Sequence, residues 1–500
     1  MSRKVKIILL LLLILIILFL IFNDIFGLSF SFNDLQSIKK TRIENKKLLT
    51  SLKINGVDCI YDKNEKVFYY NISDKYIGSK YVLNLNLDGY KYFFTNYRFN
   101  IIKVDYKKGI DVVIYNKKYY FKTKIIITNL PLISINAKDE ISKYDVNSTF
   151  KYINNSSKQK IVDSNIKLHT RGSSSSIFEK KSYRINFYND NFKKNSKLVI
   201  KDFYNGDSLI LSSVYRDPSK IRDNLATKLW NDISNDFRTF DINSKFVELF
   251  INNEYKGLYV LTEPVNNSKV NFKSKFGIVI KTNSWQKPNP KDDFDTINSN
   301  LYAGFEIKYP NDVESYKKVW SSFLNRIIDY YDEDVINDYN VISNTFNMKN
   351  YIDIIIFNSF TNNVDCDMIK NLYFYMENEN SLINIEPWDL EFTFGYLYDE
   401  KYINSGKEVD DADKIYLQIF SSDKKINELI IKRYKKLRKT ILTNEYFDNL
   451  LDNYQNNLIY ATKRDSKLWY EYDINDEIEK IRNWIHKRLI VMDKVMDEYE

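Results

Sequence analysis

Pro387-Trp388-Asp389-Leu390-Glu391-Phe392-Thr393-Phe394-Gly395 is the stretch on which the fold turns. Read as an extended segment, it puts Trp388, Leu390, Phe392 and Phe394 on one face and Asp389, Glu391 and Thr393 on the other, because successive strand side chains point to opposite sides. Four large apolar groups on one face demand burial, so the segment is a central element and not a rim. Carboxylates at i and i+2 then lie roughly 6.6 Å apart, close enough to share divalent cations with phosphate oxygens between them. The competing reading, a solvent-facing acidic stripe, is at odds with the aromatic face.

Two further constellations share this chemistry. Asn362 to Asn371 form a polar loop between an apolar helix, Tyr351 to Phe357, and a strand, Leu372 to Tyr375. An Asp (Asp365) and an Asn (Asn371) on a loop feeding a strand, followed within about two dozen residues by a buried Asp, have the layout of a phosphoryl-transfer site. The plainer alternative is an Asn-rich loop that caps a helix. Arg171-Gly172-Ser173-Ser174-Ser175-Ser176 lies between two strands, where backbone N–H groups, hydroxyls and the guanidinium of Arg171 converge on phosphate oxygens. Alternation in the following strand places Lys181 with Tyr183, Ile185 and Phe187 on the apolar face, so its ammonium needs a carboxylate or phosphate partner. The alternative is a lysine at a strand end that reaches solvent.

Composition narrows the chemistry further. The 500 residues carry only two histidines and two cysteines, Cys59 and Cys366, without zinc-site spacing. The twelve glycines are isolated; the nearest pairs, Gly78 with Gly89 and Gly395 with Gly406, are eleven positions apart. That excludes G-x-G-x-x-G and Walker A loops. The net charge of +8 comes with Lys, Asn, Ile and Tyr enriched along the whole chain, not in a patch, so nucleic acid is not an expected partner.

At the amino terminus Arg3, Lys4 and Lys6 precede an apolar run from Ile7 to Phe22, about 24 Å long as a helix. With no small-residue cleavage site after it, residues 1–28 read as an uncleaved signal anchor. The positive flank then places the amino terminus in the cytoplasm and the body outside, as a single-pass membrane protein. Residues 29–45 read as a linker, and 46–127 as a small all-β domain of short strands punctuated by Asn55-Gly56, Asp88-Gly89 and Lys108-Gly109. From 128 to 500 strands mix with helices. Asp217-Pro218 reads as a helix start, Asn252-Asn253 as a hairpin turn, and the last eighty residues as helices.

Taken together these residues resemble the spore-coat-protein-H (CotH) kinase family of atypical protein kinases. The resemblance rests on Arg171-Gly172-x-Ser174 with Lys180-Lys181-x-Tyr183-Arg184, Arg216-Asp217-Pro218-Ser219-x-x-Arg222-Asp223, and Tyr255-x-Gly257-Leu258-Tyr259-x-x-x-Glu263. It continues through Asp365 to Asn371, Trp388-Asp389-Leu390-Glu391-x-x-x-Gly395 and Trp484-x-x-x-Arg488. It implies an α+β fold: a two-lobed kinase-like domain with a helical C-terminal region, behind the all-β domain and the transmembrane helix. The implied activity is transfer of the γ-phosphoryl group of ATP, with Mg²⁺ or Mn²⁺, to a Ser or Thr of a spore-coat or cell-envelope protein. Lys181 would be catalytic, holding the nucleotide phosphates, and Arg171, Gly172, Ser174 and Glu263 would belong to the nucleotide site. Asp365 would be the catalytic aspartate, with Asp367 as its rival, and Asp389, Glu391 and Asn371 would bind metal. The family usually has Asp where this chain has Glu391. A kinase-like envelope protein that only binds, or a transferase acting on a cell-surface polymer, are the alternatives.

Overall fold

The computed structural model describes residues 37–499, apart from several short stretches and the longer stretches 235–240, 284–300, 331–337 and 403–422. The chain divides into two compact units. One takes the described residues up to Asn136 with Phe150–Asp163 and Glu248–Tyr255; the other takes Ala137–Thr149, Ser164–Val247 and the described residues from Lys256 onward.

The first unit carries a sheet in the order Ile60–Asp62, Val67–Asn71, Tyr119–Thr128, Ile110–Tyr115 and Lys91–Phe94, with Ile43–Glu44 added beside Tyr119–Thr128. Phe68, Tyr70, Ile114 and Ile125 are buried in it. Seven longer strands close into a barrel: Leu132–Ala137, Val146–Ile153, Ile161–Arg171, Ser182–Tyr188, Ser208–Ser212, Glu254–Thr262 and Ser244–Ile251, in that order round the circuit. The closing pair, Leu132–Ala137 with Ser244–Ile251, is parallel, with Leu132 opposite Glu248. Closure removes the open edges that a sheet otherwise exposes.

The second unit adds an antiparallel sheet in the order Leu301–Tyr302, Phe305–Tyr309, Ile278–Asn283, Lys370–Met376 and Asn384–Pro387. The helix Met348–Thr361 is buried along nearly its whole length, its polar Asn350, Asp353, Asn358 and Ser359 included. Its Asn350 side chain clasps the last strand by accepting from Ile385 N at 2.6 Å and donating to Ile385 O at 3.0 Å. From the helix Arg222–Ile233, Trp230 Nε1 donates to Glu386 of the same strand at 3.0 Å. Two helices therefore fix the strand that delivers Asp389. The carboxy-terminal helices Lys424–Leu437, Asn444–Leu468 and Ile474–Glu498 begin at Asp423, Thr443 and Asp473, whose side chains accept from first-turn N–H groups.

Three expectations are corrected. The strands that were to form part of a two-lobed domain close into a seven-stranded barrel, and the closing contact joins strands about a hundred residues apart, a pairing that local periodicity does not encode. No helix among the described residues is long and apolar enough to cross a membrane. The apolar run Ile7–Phe22 lies outside the described residues, and sixteen residues fall short of the roughly 30 Å hydrocarbon core. The single-pass assignment, with the body outside, rested on that run alone and is withdrawn with it. Finally, the helix expected from Pro218 starts at Arg222, because Lys220 adopts φ 62°, a left-handed turn. Asp217 still serves the helix, accepting from Arg222 N at 2.9 Å.

A buried ion pair within the second unit is the sharpest energetic feature. Lys180 Nζ meets Asp465 Oδ1 at 2.6 Å with both side chains fully inaccessible, and also donates to Leu258 O at 2.6 Å. Breaking such a pair strands a charge. Lys180→Met is expected to destabilise the chain by about 3–5 kcal/mol, and Lys180→Met with Asp465→Leu to recover part of that loss. Urea unfolding of the single and double variants checks it; a double variant as unstable as the single one speaks against a charge-pairing origin.

Candidate active site

The strand Asn384–Pro387 ends one residue before Trp388, and Asp389 turns left-handed at φ 62°. The expected extended alternation over 388–394 is therefore broken: Thr393 is buried alongside Phe392 and Phe394, while Asp389 is exposed. A left-handed aspartate is costly unless its surroundings hold it. Here Trp388 N donates to Asn371 O at 2.8 Å, Leu390 N donates to Asp223 Oδ1 at 2.9 Å, and Trp388 packs edge-on against Tyr373 at 5.6 Å. Gly395 ends the motif at φ 79°; a Cβ there would lie 2.3 Å from Trp484 Nε1.

Asp365 follows the helix Met348–Thr361, which stops at left-handed Asn362. Asn371, itself at φ 58°, donates from Nδ2 to Asp365 Oδ2 at 2.6 Å and to Asp365 O at 3.0 Å. Its carboxamide nitrogen is spent on Asp365, so its oxygen is the atom that can serve a cation. Asp367 and Ser173 lie outside the described residues, as do the side chains of Ser174 and Ser175.

The electrostatics single out Asp389. Burial, and then the charge of Asp389, raise Asp365 to about 6. Asp223 is raised to about 6 by burial, with Asp389 and Asp217 adding to it. Glu391 is pushed well above its ordinary value by burial and then by Asp389. Arg171 lines a cavity of about 60 Å³ together with Asp223, Asp389, Glu391 and Trp388. Lys281, in the strand Ile278–Asn283, is lowered by burial while Asp389 and Glu306 oppose the shift. Among the described residues there is no group of three or more His, Cys, Asp or Glu side chains close enough to hold a metal by themselves.

Arg171, Asp389 and Glu391 thus share one cavity, with Asp365 and Asn371 bonded to each other within reach of Asp389's field. Other expected residues stand apart. Lys181 is half-exposed, precedes the strand Ser182–Tyr188, and donates to Ser176 O at 2.8 Å; the lysine held in the interior is Lys180. Gly172 is exposed at φ 112°. Glu263 is buried in a different cavity of about 530 Å³, accepting from Asn243 N at 2.9 Å and from Lys269. Sequence reasoning gave no role to Asp223, Arg216 or Lys281. The signal for Lys281 was a lone cation in the apolar run Ile278-Val279-Ile280, and that for the other two was their place in the Arg216–Asp223 motif.

No curated protein matches the chain. A family model described as CotH kinase protein matches residues 168–492, which take in the last strands of the barrel, the antiparallel sheet and the carboxy-terminal helices with every site residue named above. The chain belongs to the CotH kinase family and is a kinase-like protein.

Proposed function

We propose that the chain is a metal-dependent protein kinase, transferring the γ-phosphoryl group of ATP to a Ser or Thr hydroxyl of a protein. The observation that carries this reading is Asp389: a left-handed residue just past the edge strand Asn384–Pro387, whose charge adds to the raising of Asp365, Asp223 and Glu391. Strongly perturbed carboxylates converging on one cavity mark functional sites more often than structural ones.

The donor set suits a divalent cation. Asp389, Glu391 and Asn371 offer hard oxygen ligands, and a cation among them relieves the mutual repulsion that raises Asp365, Asp223 and Glu391. Mg²⁺ is usually held by one or two carboxylates and completes its shell with water and substrate phosphates, so a sparse protein donor set is compatible with it. When bound, the cation would neutralise charge on the nucleotide phosphates.

The chain's own groups supply the rest. Arg171 and Lys281 bring positive charge to the Asp389 side of the cavity and attract the triphosphate. Lys181 would have to leave Ser176 O to join them, so Arg171 is the first choice as phosphate ligand. The larger cavity, lined by Glu263, Asn243, Phe203, Tyr204 and Ser208, has the volume for a nucleoside. The two cavities border a single strand, Ser208–Ser212: Ser208 lines the larger, Ile210 and Ser212 the smaller. Asp365, held by Asn371, orients the acceptor hydroxyl and takes its proton.

Two outcomes are expected. With labelled ATP and Mg²⁺ or Mn²⁺ the full chain should autophosphorylate; Asp389→Ala should abolish the label, and Asp365→Asn should slow it by about 10²–10⁴-fold. Equal labelling of wild type and both variants, or none in any across metals, counts against the kinase. The second outcome concerns stability. In the fold Asp223 titrates near 6, above its unfolded value, so the folded state is favoured by its proton at low pH and loses that contribution as pH rises toward 6 and beyond. Asp223→Asn cannot ionise, so in metal-free protein it should be more stable than wild type at pH 8 by about 3 kcal/mol, and not at pH 4. Urea midpoints at the two pH values decide it; a gain of the same size at both refutes the electrostatic origin.

A further inference from the structure

Arg216 sits where two features meet. It lines a cavity of about 520 Å³ together with Tyr396, Tyr470 and Tyr472. Its positive charge also acts to lower both Glu391 and Asp365. Two rings orient it: the guanidinium carbon lies 4.7 Å from the Phe392 centroid and 5.7 Å from that of Phe178. Phe392 belongs to the same short segment as Asp389, which ties the cation to the acidic motif.

The backbone carrying Arg216 is unusually constrained. Val214 and Lys220, which bracket it, are both left-handed at φ 42° and 62°. Lys220 Nζ gathers Val214 O and Tyr215 O at 3.0 Å each and donates to Tyr470 OH at 2.7 Å. Tyr396 OH donates to Arg216 O at 2.9 Å. Asp217 is occupied by Ser219 and Arg222. Strain of this kind persists where the surroundings over-determine a conformation, and it collects at functional sites.

We infer that Arg216 is a catalytic cation supplied by the chain itself, donating N–H bonds to an oxygen of the transferring phosphoryl group. The inference rests on the kinase reading above. In the step, the acceptor hydroxyl oxygen forms its bond to the γ-phosphorus as the bond from that phosphorus to the β,γ-bridging oxygen breaks. The electron pair of the broken bond leaves on ADP, and the hydroxyl proton passes to the Asp365 carboxylate and then to solvent. Negative charge is spread over the equatorial oxygens during transfer, and a guanidinium placed there stabilises the transition state more than the ground state. A guanidinium serving only as counter-ion to Glu391 would instead matter for stability and leave that discrimination untouched.

The test uses the full chain with Arg216→Ala and Arg216→Lys, single-turnover label transfer from ATP, and ADP affinity with and without aluminium fluoride, which mimics the transferring group. For Arg216→Ala a rate loss of about 10²–10³-fold is expected, with ADP affinity changed by less than about threefold. Fluoride should tighten ADP in the wild type and not in Arg216→Ala. Equal tightening in both, or a loss of ADP affinity as large as the loss of rate, overturns the inference while leaving the kinase standing. If Arg216→Ala fails to fold, Arg216→Lys decides: a lysine keeps charge but not the planar fork, so a rate at least about tenfold down supports the inference and a wild-type rate refutes it. A wild type that neither transfers label nor binds ADP brings down the kinase reading itself, and this inference with it.

Discussion

One buried carboxylate, Asp465, holds together the parts of the second unit that flank the site. Its Oδ1 receives Lys180 Nζ at 2.6 Å and Leu258 N at 2.8 Å, and its Oδ2 receives Tyr472 OH at 2.9 Å. Desolvating two charges costs several kcal/mol per ion, so the pair is tolerable only because the surrounding donors are spent on it. The same approach dictates a glycine: a Cβ at Gly257, which sits at φ 93°, would come within 2.1 Å of Asp465 Oδ1. The end of the helix Asn444–Leu468, the strand Glu254–Thr262 and the start of the strand Ser182–Tyr188 are thereby fixed to one another. Trp469 adds a bond from Nε1 to Lys256 O at 3.1 Å. Next along the chain, Tyr470 anchors Tyr215 O at 2.5 Å and Lys220, which carries the constraint into the loop of Arg216.

Asp465 and Asp389 show two opposite uses of a carboxylate. Around the Asp465 carboxylate stand the donors Lys180, Leu258 N and Tyr472 OH, and the burial that lowers Lys180 is opposed by that same carboxylate. Around Asp389 stand three other carboxylates, each of them raised, with Arg171 and Lys281 as nearby cations. The first arrangement is complete as it stands. The second carries an electrostatic cost within the protein alone, and a cost left in place at a cavity is explained by the cation and phosphates that would remove it. Lys220 belongs between the two: burial brings it down to about 7, opposed by Asp465 first among the nearby acids.

What was legible in the sequence was local. Asn252 and Asn253 are left-handed at φ 51° and 60°, as a two-residue hairpin turn requires, and the carboxy-terminal helices follow the apolar period that marked them. The family was legible too, because short motifs in fixed order survive without any knowledge of how they are brought together. What was not legible is non-local. Barrel closure depends on Leu132 meeting Glu248, and no window of sequence contains both. Asp223 joins the site only because its helix packs beside the strand ending at Pro387, a contact made through Trp230 and Glu386. The membrane helix failed for a different reason: it was inferred from one apolar run, without support from any other part of the chain.

Two local readings also slipped, and for one shared cause. Tyr183, Ile185 and Phe187 do alternate inward, but extending that period back to Lys181 assumes that the strand has already begun, and it begins at Ser182. One residue earlier the phase is lost, and the lysine in the interior is Lys180. At the other motif the alternation from Trp388 to Phe394 assumes a strand that has ended at Pro387. A period of two holds only inside regular structure, and a shift of one residue exchanges the faces. The first break falls just before a strand begins, outside the lining of the carboxylate cavity; the second falls just past a strand's end, beside the carboxylate cluster. There a side chain freed from the pleat can be aimed at a ligand, so the second failure of the local rule points to the site.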